Sequence, residues 1–152
     1  MGSGRARQFI VPSDCLDVFS RLPENTFDAI ITDPPYGTAH KDTKVLKGRK
    51  PICMGRERLK HPTQKPLKVF EWLLKIFTNE HDLVLDCFAG TGSLAEAVKK
   101  LNRSSFSIES DKTYFQLMVD RLSGEKNDES DTLHIFSFPE DILKFMDFIS
   151  DS

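Results

Sequence analysis

A four-residue corner near the amino end of the chain carries groups that could act on a base amine. Asp33, Pro34, Pro35 and Tyr36 directly follow the apolar run at residues 27–32. The Asp33 carboxylate and the Pro34 carbonyl could accept the two N–H bonds of an exocyclic amine and favour its pyramidal transition state. The Tyr36 ring could stack on an extruded base. This pattern predicts a catalytic corner, while a Pro-Pro turn closed by a surface tyrosine is the structural alternative.

A second candidate site is the glycine-containing turn at residues 86–93, which follows another apolar run. Gly90 and Gly92 allow the backbone to approach a ligand closely. A turn from a strand into a helix is also where open α/β sheets bind ligands. Residues 90–95 match the Gly-x-Gly-x-x-Ala dinucleotide fingerprint as well. S-adenosylmethionine, a dinucleotide and a plain turn therefore all remain open from this segment alone.

A carboxylate follows the glycine turn at the end of the next predicted strand. Glu109 closes the run at residues 104–109. From that position it could accept hydrogen bonds from both ribose hydroxyls of a nucleoside. The turn and this carboxylate together predict a nucleoside cofactor.

The elements that must hold these residues alternate along the chain between strand and helix patterns. This alternation predicts an α/β doubly wound fold with a mostly parallel, Rossmann-like sheet. The predicted strands lie at residues 9–11, 27–32, 83–87 and 104–109. The predicted helices lie at 14–22, 66–77, 94–101 and 114–122, with an amphipathic helix starting at Pro139.

Charge divides the chain into unlike parts. Residues 41–68 carry a net charge of +8 and residues 123–152 a net charge of −6. We predict a cofactor and catalytic domain at 5–122 that includes a basic loop at 37–60, followed by an acidic linker and helix at 123–152. The basic stretch could neutralise DNA phosphates, although a charge run is often only a solvated loop. Three distant cysteines argue against a disulfide framework and indicate a reducing, cytoplasmic setting.

Three motifs in one order resemble the amino-group DNA methyltransferases of the permuted beta class. That family carries Asp-Pro-Pro-Tyr, found here at 33–36, and Asp-x-Phe-x-Gly-x-Gly, found at 86–92. It also carries His-Pro-Thr-Gln-Lys-Pro just ahead of the cofactor strand, and that segment stands at 61–66. The catalytic motif precedes the cofactor motif, as in the permuted class.

The resemblance implies methyl transfer from S-adenosylmethionine to a base amine, with adenine N6 of DNA favoured. Cytosine N4, an RNA or protein amide, and a silent nucleic-acid-binding subunit are the alternatives. A nicotinamide oxidoreductase has no candidate hydride-transfer site in the sequence. The implied partners are DNA, through residues 41–68, and a second copy of the chain as a homodimer, with neither a membrane nor a metal ion.

The resemblance also assigns individual residues. Asp33, Pro34, Pro35 and Tyr36 would hold the target amine. The cofactor would lie against Asp14, Thr63, Lys65, Asp86, Phe88, Gly90, Gly92, Ser93 and Glu109. Within this set Glu109 would bind the ribose, Asp14 would lie near the adenine, and Thr63 and Lys65 near the methionine end. A helix cap at Asp14 and a solvated lysine at position 65 are the structural alternatives.

One departure from the family concerns the middle of the chain. The family places several further strands and the target-recognition region between the catalytic corner and the segment at 61–66. Here only residues 37–60 occupy that interval. We therefore expect an incomplete sheet with strands missing between 37 and 60 and a long exposed edge.

Overall fold

A parallel β-sheet with helices on both faces forms the described part of the chain, in a computed structural model covering residues 6–33, 66–124, 132–137 and 141–151. Within these ranges the strands are β1 (Arg7–Val11), β2 (Ala29–Ile30), β3 (Leu83–Asp86), β4 (Ser104–Ile108) and β5 (Thr132–Ile135). The helices are α1 (Cys15–Phe19), α2 (Leu67–Phe77), α3 (Ser93–Lys100), α4 (Lys112–Ser123) and α5 (Ile142–Ser150).

The strands lie in the order β2-β3-β4-β1-β5, and every pairing between them is parallel. One row of residues paired between neighbouring strands crosses the whole described sheet. It consists of Ala29, Val84, Ser105, Gln8 and Leu133. Because the strands are parallel, all their carboxyl ends meet at one edge. The predicted α/β architecture is confirmed, and this edge carries Asp33, the glycine turn and Glu109.

Alternation along the strands explains why helices cover both faces. In β1, Phe9 and Val11 join an apolar cluster on one face, which includes Phe145 of α5. Ile10 points to the other face and packs with Met118 of α4. Burial on both sides is what a doubly wound sheet requires, and such strands consist almost wholly of apolar or small residues.

The end of the chain contains a strand that the sequence did not predict. The segment 123–132 was expected to be linker, but Thr132 begins β5, which pairs with Arg7 to Ile10 of β1. In α5, Phe145 is fully buried with its ring centroid 5.0 Å from that of Phe9. The described residues after 131 therefore extend the same sheet and core, because β5 finds its partner far away in sequence.

Several element boundaries also differ from prediction. Helix α1 ends at Phe19 rather than residue 22, and β2 has two residues instead of the six predicted at 27–32. Phe27 packs against the aromatic core near Phe106 rather than extending the strand. In α2, Leu74 is fully buried, whereas Phe77, at the last position of the helix, is 67% exposed. Short edge elements are poorly specified by local periodicity alone.

The β2 side is one edge of the described sheet, and Ile30 there is 64% exposed. The predicted basic loop at 37–60, with the expected gap in the strands, lies outside the described residues. No helix within the described ranges has both the length and the apolar character needed to cross a membrane.

Candidate active site

Pairing of β2 with β3 brings Asp33 beside the glycine turn. The Ile31 N–H donates to the Leu85 carbonyl at 3.0 Å, which continues the pairing beyond the two residues of β2. One residue later, the Thr32 hydroxyl donates to Oδ1 of Asp86 at 2.9 Å. Asp33 follows immediately, half-buried at the carboxyl edge of the sheet. The start of the catalytic corner and the turn after β3 therefore open onto the same edge.

The glycine turn depends on two residues with left-handed backbone. Gly90 has a φ of 57° and Gly92 a φ of 82°, a region that favours residues without Cβ. The Ala89 N–H donates to the Ile108 carbonyl at 3.0 Å, and the Gly92 N–H donates to the Ala89 carbonyl at 2.9 Å. These bonds fix the turn against β4 and lead the chain directly into α3.

Gly92 has a packing role that its motif did not reveal. A Cβ on this residue would stand 2.6 Å from Cγ of Met118, far inside normal contact distance. The missing side chain therefore lets α3 and α4 approach each other beneath the turn. The sequence prediction placed Gly92 against a ligand, and this contact gives it a structural function in addition.

Glu109 lies against the turn through its own carboxylate. Its Oε2 accepts a hydrogen bond from the Gly90 N–H at 2.6 Å. Its Oε1 accepts from the Asp111 N–H at 2.9 Å. A carboxylate offers about four acceptor positions, so two of them remain for a ligand that carries hydroxyl groups. Glu109 thus joins the end of β4 to the glycine turn and keeps capacity to bind.

Asp86 is a buried carboxyl group in the centre of the edge. It is only 5% exposed, and burial raises its pKa to about 7 from an ordinary value of 3.8. The hydrogen bonds from the Thr32 hydroxyl and the Phe88 N–H act against this rise, whereas the charges of Glu109 and Asp33 add to it. At neutral pH, Asp86 is therefore divided between its protonated and ionised forms.

The neighbours of Asp86 define how its two oxygens are used. The Phe88 N–H donates to Oδ1 at 3.2 Å, and this oxygen also accepts the Thr32 hydroxyl. Ser107 lies opposite Asp86 in β4, and its buried hydroxyl has no hydrogen-bond partner within the described part of the chain. Because Oδ1 accepts both bonds, the proton of the neutral form belongs on Oδ2.

Two other predicted cofactor residues have structural partners. Oγ of Ser93 accepts a hydrogen bond from Nη1 of Arg121 at 2.6 Å, and Nε of Arg121 lies 3.2 Å from Oε2 of Glu96. The Ser93 hydroxyl is therefore hydrogen-bonded to a residue of α4.

Asp14, another predicted cofactor residue, caps α1 by accepting from the Leu16 N–H at 2.8 Å. Phe88 is 40% exposed at the edge, where a ligand could contact its ring.

The remaining predicted site residues lie outside the described residues. They are Pro34, Pro35, Tyr36, Thr63 and Lys65, and most of the basic stretch at 41–68 lies there too. Their assignment to the target amine, the cofactor and DNA stays a prediction. Across the described ranges there is no cluster of side chains suited to hold a metal ion.

Sequence reasoning missed two residues that organise this edge. Thr32 precedes the catalytic corner, and its alternating position in the predicted strand gave no sign of the bond to Asp86. Arg121 was passed over in an amphipathic helix, yet it joins Ser93 and Glu96 of α3 to α4. The position of a hydroxyl residue directly before the motif was the one sequence feature that could have identified Thr32. No local pattern could have identified Arg121.

The described residues form an α/β domain whose fold is similar to that of solved methyltransferase structures. A family profile described as DNA methylase, of the N6 and N4 type, matches residues 47–120. The chain is 31% identical over 138 residues to the type II methyltransferase M.HpaI of Haemophilus parainfluenzae, covering 83% of this chain and 43% of that protein. It is 40% identical over 67 residues to M.HindIII of Haemophilus influenzae, covering 44% of this chain and 22% of that protein.

Solved structures agree on the fold. The crystal structure of the M1.HpyAVI complex with S-adenosylmethionine superposes with a TM-score of 0.60 at 23% identity, over 75% of this chain and 99% of that one. Residues 47–120 therefore resemble DNA methylases of the N6 and N4 type, and the fold resembles that of a solved methyltransferase structure. The chain spans less than half the length of the curated relatives M.HpaI and M.HindIII.

Proposed function

We propose that this chain binds S-adenosylmethionine at the glycine turn and carries the methyl-transfer site of an enzyme that modifies adenine N6 in DNA. The observation that carries the proposal is the meeting of Asp33, Asp86 and Glu109 with the glycine turn at one edge of the sheet. The match of residues 47–120 to the DNA methylase profile supports the reaction class, and the motif that starts at Asp33 supports adenine over cytosine by analogy.

Charge at this edge favours S-adenosylmethionine over a dinucleotide. Asp33 and Glu109 lie close enough to Asp86 to raise its pKa by their negative charges. A sulfonium and an ammonium group would be attracted to this set of carboxylates. A pyrophosphate would meet repulsion from them. A dinucleotide, which the Gly-x-Gly-x-x-Ala pattern also allows, is therefore the less favourable ligand for this turn.

The residues at the edge fit the cofactor in their hydrogen-bonding chemistry as well. Glu109 has acceptor capacity for ribose hydroxyls, and the exposed Phe88 ring offers an apolar surface. When bound, S-adenosylmethionine supplies an electrophilic methyl group. The carboxylate of Asp33 would accept an N–H bond of the target amine, orient its lone pair and stabilise the positive charge that develops on nitrogen.

The proposal also concerns the molecules that the chain binds. We infer that the basic residues within 41–68 contact DNA phosphates, whose number would set the salt dependence of binding. A homodimer and a cytoplasmic location stay predictions from the sequence.

Labelled cofactor tests the reaction directly. The chain would be incubated with S-adenosylmethionine carrying an isotopic methyl group and with DNA, RNA and peptide together, and the products identified by mass spectrometry. We expect labelled N6-methyladenine in DNA. Labelled N4-methylcytosine would correct the target base, and label in RNA or peptide would correct the substrate class. Cofactor binding by calorimetry without any labelled product would reduce the function to that of a cofactor-binding subunit.

Asp33→Ala tests the catalytic assignment within this reaction. We expect transfer to fall below detection while cofactor affinity stays within about tenfold, because the group acts mainly in the transition state. Initial rates and titration calorimetry measure the two quantities. Asp17→Ala is the matched control, since it removes an exposed aspartate of α1. Equal losses of rate and affinity in Asp33→Ala would reject the assignment.

A further inference from the structure

The hydroxyl of Thr32 joins the two halves of the candidate site. Along the chain it stands directly before Asp33, and across the sheet it bonds to Asp86 at the end of β3. The backbone pairing of this segment is short, since β2 contains only Ala29 and Ile30 and the next bond comes from the Ile31 N–H. The side chain of Thr32 therefore extends the attachment to β3 by one residue toward Asp33.

The acceptor of this bond also holds the glycine turn. Oδ1 of Asp86 accepts from Thr32 at 2.9 Å and from the Phe88 N–H at 3.2 Å. Asp86 is 5% exposed, so both bonds lie where little water competes for them. A single oxygen atom thus connects the segment entering the catalytic corner with the first residues of the turn.

We propose that Thr32 is a positioning residue that, through Asp86, sets the distance between the Asp33 carboxylate and the glycine turn. The inference rests on the proposed function, because this distance governs the meeting of methyl donor and amine. In this proposal, Thr32 itself contacts neither the methyl donor nor the target amine. Its loss would leave Asp33 and the turn chemically intact but displaced relative to each other, and small displacements of reacting groups reduce rates steeply.

Thr32→Val and Thr32→Ser separate the hydroxyl from the rest of the side chain. Valine keeps the branched shape and removes the donor, whereas serine keeps the donor and removes a methyl group. In the whole 152-residue chain, we expect Thr32→Val to lower kcat by roughly 10- to 100-fold. Its KM for cofactor should change less than about threefold, since the groups that would bind cofactor are retained. Thr32→Ser should stay within a few-fold of the wild type in both.

A second measurement reports on the bond without requiring transfer. Carboxyl-carbon NMR follows the titration of Asp86, whose pKa the Thr32 hydroxyl lowers. Thr32→Val should therefore raise the pKa of Asp86 above its wild-type value, and Thr32→Ser should leave it nearly unchanged. If Thr32→Val fails to fold, Thr32→Ala removes the same donor and has the same expected results.

The results of these experiments distinguish a failure of this inference from a failure of the proposed function. An unchanged Asp86 titration in Thr32→Val, a wild-type kcat, or equal losses in the valine and serine variants would overturn the positioning role. A wild-type chain that transfers no methyl group would instead count against the proposed function. In that case the Asp86 titration, together with hydrogen exchange of the Ile31 amide, decides whether Thr32 joins the two segments.

Discussion

Individual residues at the carboxyl edge each take part in several hydrogen bonds. Glu109 accepts the Gly90 N–H and keeps capacity for a ligand, while Asp86 holds both Thr32 and Phe88 through one oxygen. Because each of these groups has several partners, a substitution there changes the shape of the site as well as its chemistry. Experiments on such residues therefore need a measurement of folding beside the measurement of function.

Gly92→Ala tests the structural role of the turn at the residue scale. The φ of 82° is unfavourable for alanine, and its Cβ would meet Cγ of Met118 at 2.6 Å. The backbone conformation costs about 1–2 kcal/mol and the overpacking about 1–3 kcal/mol. We expect the free energy of unfolding to fall by about 2–5 kcal/mol in urea denaturation.

Gly124→Ala is the matched control for that variant. Gly124 has a φ of −79°, and its added Cβ would lie 3.2 Å from the Asp120 carbonyl oxygen. Alanine adopts this backbone readily, so a change of less than about 1 kcal/mol is expected. A Gly92→Ala chain as stable as Gly124→Ala would mean that Met118 moves aside and that the close approach of α3 and α4 is not required.

Among the elements, β5 and α5 show how the acidic end of the chain contributes to the core. β5 pairs with β1, and Phe145 of α5 packs among the rings of Phe9, Phe106 and Phe136. Such ring pairs contribute beyond their buried area when they meet edge to face or tilted. These elements therefore support β1 and β4, the strands that lead to Asp14 and Glu109.

Phe145→Ala tests whether this end unfolds together with the rest. A fully buried phenylalanine replaced by alanine costs about 3–5 kcal/mol. The single tryptophan, Trp72, lies on α2 and reports on a different part of the fold. If the elements form one cooperative unit, the urea midpoint followed by Trp72 fluorescence should fall as much as the midpoint followed by circular dichroism.

Leu143→Ala is the control on the same helix, since Leu143 is 70% exposed. Its free energy of unfolding should change by less than about 0.5 kcal/mol. A Phe145→Ala chain whose Trp72 transition matches the wild type would show that α5 unfolds independently and does not stabilise the sheet.

At the scale of the whole molecule, the buried carboxyl of Asp86 makes stability depend on pH. Its pKa is about 7 in the folded chain and its ordinary value is 3.8, with burial as the main cause. Between these values the folded state holds a proton that the unfolded chain releases. The stabilisation that this proton gives to the folded state is therefore complete below about pH 4 and is lost as the pH rises through about 7.

Asp86→Asn isolates this contribution. The amide oxygen can accept the bonds from Thr32 and Phe88, but the side chain no longer titrates. Without cofactor, we expect the free energy of unfolding of the wild type, relative to this variant, to fall by a few kcal/mol between about pH 4 and pH 8. Urea denaturation across this range measures the difference.

Titrating groups that do not interact with Asp86 cancel in that comparison because both chains contain them. His134 is one of them, since burial and then the charge of Arg7 lower its pKa, which weakens the fold as the pH falls. A flat difference curve between the two chains would mean that Asp86 is ionised in the folded protein throughout, and the buried neutral carboxyl would be rejected.

Local patterns in the sequence were enough to predict the α/β architecture and the sheet edge at which Asp33, the glycine turn and Glu109 lie. Apolar runs, the prolines after residue 33 and the glycines at 90 and 92 act over a few residues, so their consequences can be inferred without coordinates. Parallel strands then place Asp33, the turn and Glu109 at one edge by geometry alone. The roles of Tyr36, Thr63 and Lys65 still rest on resemblance.

Contacts between distant residues were decided only by the tertiary structure. β5 is no shorter than β3, which was predicted, but its place in the sheet depends on pairing with β1, which lies far away along the chain. The bond from Thr32 to Asp86 spans 54 positions, and the contact of Gly92 with Met118 joins two helices. Such contacts form when packing brings segments together, and no periodicity within one segment encodes them.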